Sequence, residues 1–219
     1  MEPATTNDRS RQDEVEVDQS APATVKPVHR LGRVWTTLSL AALAVLVLST
    51  PALADRFIYD RAFLLQGDWW RAWTGHVVHF GPSHLFWDLA MLLPAGCWVE
   101  YVWPARARWF YVGAPLVISA LLFVLDPALL RYGGLSGLAA GMVVLLAGLH
   151  LRSGKDGRRR LWVGVLTLVG AKLGYELVAG GPLVVTDFGD KVRSVPLAHL
   201  GGAVCGVAGC LMGEIRTVR

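Results

Sequence analysis

The stretch Tyr132–Gly141, with the sequence YGGLSGLAAG, opens a long apolar segment and places a serine, Ser136, between glycines. Two interpretations of this serine are open. Small residues let helix backbones approach closely in lipid, and a serine hydroxyl can hydrogen-bond to its own helix. Alternatively, flanking glycines leave room for an acyl group and let backbone N–H groups point at a developing oxyanion. The stretch therefore predicts a membrane helix and, in the second interpretation, a nucleophile at its start.

The composition is that of a membrane protein. Of the 219 residues, 17% are charged and 53% hydrophobic, whereas soluble domains average about 25% charged residues. The net charge of +4 does not indicate nucleic-acid binding, because the basic residues lie in short connections between apolar runs. The three cysteines lie inside apolar runs without metal-like spacing and predict buried apolar side chains rather than disulfides. They are Cys97, Cys205 and Cys210.

Apolar runs divide the chain into a polar tail and an all-α membrane domain. Residues 1–32 are polar and almost free of aromatics, which predicts a disordered cytoplasmic tail before a membrane domain at 33–216. Six runs are candidate membrane spans. They lie at about Arg33–Ala54, His84–Trp103, Trp109–Leu125, Leu135–Leu151, Leu161–Ala179 and Val195–Ile215. The end of the first run imitates a signal-peptidase site, but the long tail before it favours an uncleaved first helix.

Basic residues orient these spans. With six spans, four basic groups fall on one side of the membrane, which is therefore predicted to be cytoplasmic and to carry both termini. The groups are Lys26 with Arg30 and Arg33, Arg106 with Arg108, the cations of Arg152–Arg160, and Arg216 with Arg219.

Three spans begin on the outer side with polar residues in or near their first turn. The second opens with HFGPSHLFWD at His79–Asp88, in which His84 and Asp88 lie one helical turn apart. The fourth opens with Ser136, and the sixth carries His199 about one turn from its start. At about 1.5 Å rise per residue these groups share a shallow depth. Ser136 and His199 fit a nucleophile and its general base; the alternative for His199 is a simple helix–helix hydrogen bond.

Small residues favour close packing of the fourth and sixth spans. Gly202 and Gly206 lie one turn apart beyond His199 and give the sixth span a flat face. Gly137, Ala140 and Gly141 form a matching small-residue face on the fourth span. Contact between these faces is predicted to bring the serine and the histidine within hydrogen-bonding distance.

Together these motifs resemble the rhomboid family of intramembrane serine proteases. The resemblance rests on GLSG at Gly134–Gly137, AHLGGAVCG at Ala198–Gly206, the spacing of the histidines and Asp88 in His79–Asp88, and the pair Trp70–Arg71. It covers about Trp69–Gly206 and implies a six-helix bundle that needs no cofactor or metal.

The resemblance also implies roles for individual residues. Ser136 would be the nucleophile and His199 the base, in a dyad without a carboxylate. His84 would line the oxyanion hole, with Asp88, Gly134 and Gly137 beside it. Asp88 departs from the family's usual Asn, and an ionised carboxylate cannot donate to an oxyanion. Asp88 is therefore either protonated or paired with His84, or the hole relies on other donors.

Within the family, the sequence is most similar to the rhombosortases. GDWWRAWTGH at Gly67–His76 and KLGYE at Lys172–Glu176 resemble motifs of that subfamily. The similarity implies cleavage of single-pass or C-terminally tail-anchored proteins with GlyGly-type sorting tails, at the outer face of a bacterial inner membrane. The pair Lys172 and Glu176 could recognise substrate or lipid, although a mutually neutralising ion pair is the cheaper arrangement in a membrane.

Two other functions compete with proteolysis. One is a catalytically inactive rhomboid-like protein that binds membrane clients; both Ser136 and His199 are present, which disfavours it. The other is a metal site formed by His76, His79, His84 and Asp88. The intervening Gly81–Pro82 makes that geometry irregular.

Overall fold

The computed structural model describes residues 33–154, 157–179 and 195–212. Helices make up most of this part of the chain, which confirms the predicted all-α membrane bundle. They are α1 (Trp35–Leu48), α2 (Pro51–Phe57), α3 (Arg61–Leu65), α4 (Arg71–Thr74), a 3-10 turn (Gly75–Val77), α5 (Pro82–Val102), α6 (Pro104–Leu125), α7 (Ser136–Ser153), α8 (Arg159–Ala179) and α9 (Pro196–Leu211). The predicted tail, residues 1–32, and the end of the predicted sixth span lie outside the described residues.

Among the residues that the structure describes, four helices, α5 to α8, are long and apolar enough to cross a membrane. Their bounds follow the predicted spans closely, and α5 continues through Pro94. The largest shift is at α6, which begins at Pro104 because proline suits the first position of a helix. Helix α9 is apolar but has only 16 residues. The count of six spans stays a prediction.

The predicted first span differs most from the structure. It is not one continuous helix: α1 ends at Leu48, and α2 begins at Pro51 with its axis turned by 113°. Thr50, between them, has φ −130° and ψ 89°, outside the helical region. Proline lacks an N–H and disfavours helical geometry in the preceding residue, so the helix breaks there.

Helix α7 lies at the centre of the bundle and packs backbone-to-backbone against α9. Over half of its membrane-length apolar stretch is buried, compared with 17% of the corresponding stretch of α8. A Cβ placed at Gly202 would overlap the Gly137 carbonyl, and one at Gly206 would overlap the Gly141 carbonyl. The glycines are therefore required for this contact, as the small-residue pattern predicts.

The far end of α9 is held by arginines from two neighbours. Arg152 donates to the Cys210 carbonyl at 2.6 Å, and Arg106 donates to the Gly209 carbonyl at 2.6 Å and the Met212 carbonyl at 3.0 Å. Cations at a helix C-terminus satisfy its free carbonyls and its dipole. Two of the predicted cytoplasmic basic groups thus meet at one end of the bundle.

At the opposite end, a short β-ladder fixes the connection that leads into α7. Strand β1 (Tyr59–Asp60) pairs antiparallel with β2 (Arg131–Tyr132). Arg71 is buried beneath it, donating to the carbonyls of Asp55 and Ile58 at 3.0 and 3.1 Å. Arg71 therefore has a structural role in this loop, next to an exposed Trp70.

Candidate active site

Ser136 is the first residue of α7, and the glycine two positions before it shapes the approach to the helix. Gly134 has φ 130°, in the region that favours glycine. A Cβ at Gly134 would lie 2.8 Å from His84 Nε2 and 3.2 Å from Asp88 Oδ2. The absence of a side chain at Gly134 therefore lets two polar groups of α5 reach the backbone beside Ser136.

A buried tyrosine precedes the serine. The Tyr132 hydroxyl donates to the Gly134 carbonyl at 3.2 Å and lies near the Ser136 side chain. Burial raises the pKa of Tyr132, so its hydroxyl stays protonated. Ser136 itself is half-buried.

His199 lies in the first turn of α9, close to the start of α7. A Cβ at Gly137, the residue after Ser136, would lie 2.8 Å from the carbonyl of Ala198, the residue before His199. His199 is buried and near enough to His84 for their charges to interact. The structure thus brings the two helix positions together through the backbones of their neighbours.

Asp88 lies between two imidazoles. Its Oδ2 is 3.1 Å from His79 Nε2 and 3.4 Å from His84 Nε2, and all three residues are buried. His79 is also approached by the Leu135 N–H, 3.4 Å from Nε2. A pairing with His84 is one of the three alternatives that the sequence leaves open for Asp88; in the structure His79 is the closer of the two histidines.

A carboxylate contacts His199, although the resemblance implies a dyad without one. Glu176, near the end of α8, has Oε2 2.7 Å from His199 Nδ1. Its Oε1 accepts from Lys172 at 2.6 Å, so the predicted ion pair is present. Glu176 therefore joins two groups that the sequence analysis treated separately.

The chain matches the Rhomboid domain family over residues 66–213, which is more than half of its length. The chain belongs to the rhomboid family. It is also similar to "Rhomboid protease GluP" from Bacillus subtilis (strain 168), with 27% identity over 117 residues. That alignment covers 53% of this chain and 23% of the relative, so the match spans about a quarter of the relative's length.

As a rhomboid with several apolar helices, the chain is a multi-pass membrane protein. The residues predicted for the site gather where α5, α7, α8 and α9 meet at one end of the bundle. Trp70 and Arg71 lie apart from that group, in the loop before α5, and Gly202 and Gly206 act through helix packing. His76 lies against α6, with Nε2 3.0 Å from the Pro115 carbonyl.

Two polar contacts in this rhomboid were not predicted from the sequence. The first is the Tyr132 hydroxyl; its only signal was a position four residues before Ser136. The second is the contact of Glu176 with His199. The sequence signal was the i,i+4 spacing of Lys172 and Glu176 near the outer end of a span. This spacing shows that the two residues share one face of the helix, but not which helix that face contacts.

Proposed function

We propose that this rhomboid is an intramembrane serine protease, with Ser136 as nucleophile and His199 as general base. The observation that supports the proposal is the close approach of the backbones at Gly137 and Ala198, the residues next to Ser136 and His199 at the starts of α7 and α9. In both, the side chain lies near the end of the bundle, where water can reach it more readily than at the centre of a bilayer. A buried histidine on the helix that packs against the helix of the serine fits general-base activation.

The proposed reaction is acyl transfer. Ser136 Oγ attacks the peptide carbonyl carbon while its proton passes to His199 Nε2. The tetrahedral intermediate collapses, and His199 gives that proton to the departing amine. Water, deprotonated by His199, then hydrolyses the acyl-enzyme and regenerates the serine.

Donors for the oxyanion are available at the start of α7. Backbone N–H groups in the first turn of a helix have no partner within the helix. His84 Nε2 lies close to Gly134 and 3.4 Å from Asp88 Oδ2, so its N–H would turn from that carboxylate to the developing oxyanion to add a side-chain donor. Asp88 and His79 would then fix the orientation of His84 rather than contact the oxyanion.

The proposed substrates are membrane proteins with an accessible segment near the outer face of a bacterial inner membrane. The GDWWRAWTGH and KLGYE motifs favour a rhombosortase-like preference for C-terminal GlyGly-type sorting tails. This orientation requires six spans with both termini in the cytoplasm, which is supported by the shared end of Arg106 and Arg152.

The replacement of the family's usual Asn by Asp88 favours a second candidate, an inactive rhomboid-like protein that binds membrane clients. A fluorophosphonate probe separates the two, because it phosphonylates only an activated serine and releases fluoride. We expect purified protein to be labelled and to cleave a tailed substrate in liposomes.

Ser136→Ala and His199→Ala should abolish labelling and cleavage, because each removes one reacting group. Ser153→Ala is the matched control. Its hydroxyl lies at the other end of α7, where it donates to the His150 carbonyl at 2.9 Å. Unlabelled wild-type protein, or cleavage by Ser136→Ala protein, would overturn the proposal.

A further inference from the structure

A buried carboxylate touches the proposed base from a neighbouring helix. Glu176 is 1% exposed, and its two oxygens have different partners. Oε2 lies 2.7 Å from His199 Nδ1, and Oε1 lies 2.6 Å from Lys172 Nζ. The Lys172 side chain is 37% exposed, so it extends from this buried group towards the surface. The contact of Glu176 with His199 is therefore the buried part of the network.

The distances decide where the proton of His199 lies. Lys172 Nζ is also 3.5 Å from His199 Nδ1, but an ammonium group can only donate, whereas a carboxylate can only accept. His199 Nδ1 cannot satisfy both. The contact at 2.7 Å is the hydrogen bond, so Nδ1–H donates to Glu176. The neutral imidazole then has its lone pair on Nε2.

We infer that Glu176 is a positioning residue for His199. The inference rests on the proposed function. Glu176 holds the tautomer in which Nε2 can accept the Ser136 proton, and its charge stabilises the imidazolium formed when that proton moves. The proton later leaves Nε2 for the departing amine, while Nδ1–H stays bonded to Glu176. This arrangement adds a carboxylate to the serine and histidine.

The other charged and titratable groups facing His199 are few in the part of the chain that the structure describes. Lys172 and Glu176 approach from α8, and His84 interacts electrostatically from α5. Lys172 opposes a positive charge on His199, whereas Glu176 favours it. Removal of the Lys172 charge and removal of the Glu176 charge should therefore shift the pH dependence of activity in opposite directions.

A purely structural ion pair would behave differently. Only 17% of the membrane-length apolar stretch of α8 is buried, so this helix has few packing contacts with the bundle. A purely structural Lys172–Glu176–His199 network would hold α8 against α9. In that case either substitution would lower thermal stability and activity together. The two substitutions would then not shift the acid limb of the pH–rate profile in opposite directions.

The test measures the rate of fluorophosphonate labelling between pH 5 and pH 9, which requires no knowledge of the substrate. In Glu176→Gln, Lys172 should hold the amide oxygen, so that the NH₂ group faces His199 Nδ1. That forces the proton onto Nε2, and we expect labelling to fall by about 100-fold or more. The acid limb of the remaining rate should move to lower pH, because no carboxylate favours the imidazolium.

Two further variants sharpen the test. Lys172→Gln keeps the carboxylate and removes the opposing charge, so its acid limb should move to higher pH with a smaller loss of rate. Glu176→Asp keeps the charge on a shorter side chain and should label faster than Glu176→Gln. Thermal unfolding in detergent checks the fold of each protein. The Asp carboxylate lies farther from His199 Nδ1 and favours the imidazolium less, so the acid limb of Glu176→Asp should move to lower pH. If Glu176→Gln is unfolded, this shift and the opposite shift of Lys172→Gln provide the test.

The outcomes separate this inference from the proposed function. Wild-type labelling that depends on Ser136, with the Glu176→Gln profile superimposable on it, overturns the inference alone. Shifts of the same sign in the Lys172 and Glu176 variants also overturn it, in favour of an ion pair. Absence of wild-type labelling overturns the proposed function, and the inference with it.

Discussion

Helix α9 meets its two site-forming neighbours by different means. Against α7 it makes backbone contacts through glycines, where Gly202 lies on the Gly137 carbonyl. Against α8 the contact that reaches the site is a chain of titratable side chains, Lys172, Glu176 and His199. The first interface has no room for added side-chain volume. The second is made by charged and titratable groups, so we expect it to respond to changes of charge and pH. The comparison predicts that packing fixes the position of the site, whereas electrostatics adjusts its reactivity.

The largest expected effect comes from adding volume to the α7–α9 interface. Gly202→Val places side-chain atoms on the Gly137 carbonyl, so the helices must separate. Overpacking costs about 1–3 kcal/mol and more where the obstacle is backbone. We expect a clear fall in the unfolding temperature in detergent and complete loss of fluorophosphonate labelling, since Ser136 moves away from His199.

Gly170→Val is the matched control on α8. No atom lies within 4 Å of a Cβ at Gly170, and this residue is exposed. Valine there should change stability by no more than about 0.5 kcal/mol. If Gly202→Val keeps the wild-type unfolding temperature and labelling, the backbone contact does not position the site.

A smaller effect is expected from the charged side of the comparison at Asp88. Its Oδ2 lies 3.1 Å from His79 and 3.4 Å from His84, which favours a carboxylate that orients imidazoles. Asp88→Asn keeps a hydrogen-bonding group without the charge, and we expect labelling to fall by about tenfold. If a protonated Asp88 instead donates to the oxyanion, Asn preserves activity and flattens its decline at high pH.

Asp88→Leu is the companion variant. It should be poor in either case, because it removes every polar function beside the two histidines and leaves them buried without this partner. Thermal unfolding should be measured in parallel with labelling. A fully active Asp88→Leu protein would place Asp88 outside the site.

The sequence predicts the helices well because their ends carry clear signals. Proline stands at the first position of α5, α6 and α9, and apolar runs fill each helix. The same rule, applied to Pro51, would have predicted the break in the first span. Ser136 and His199 lie near the starts of α7 and α9, where the motifs that contain them predict the helices to begin. These features are local, so residue order is enough to find them.

The polar partners could not be predicted in the same way. Helix α8 is apolar around most of its circumference, so no amphipathic stripe shows which face turns towards α9. The contact of Glu176 with His199 depends on that rotation. The pairing of Asp88 with His79 depends on the path of the non-helical connection before α5. Neither quantity is encoded in the spacing of residues along one helix.

The smallest expected effect concerns His76, whose ring packs edge-on against Tyr132 beside the candidate site, and it tests whether pH acts on the fold separately from the reaction. His76 is buried in the 3-10 turn before α5, where Nε2 lies 3.0 Å from the Pro115 carbonyl and 3.1 Å from Ser119 Oγ. Burial lowers the pKa of His76 from 6.5 to about 4. The neutral, buried ring of His76 therefore makes its full contribution to the free energy of unfolding above pH 6.5.

That contribution is lost as the pH falls from 6.5 towards 4, because the unfolded chain binds a proton there and the folded chain does not. The slope is at most about 1.4 kcal/mol per pH unit. His76→Gln keeps an N–H donor towards the Pro115 carbonyl but cannot titrate. We expect its unfolding temperature to fall less steeply than that of the wild type between pH 6.5 and 4.5. The acid limb of fluorophosphonate labelling, which reports on His199, should not move. A shift of that limb would connect His76 to the site, and equal slopes of stability would show that its buried ring does not control the acid sensitivity of the fold.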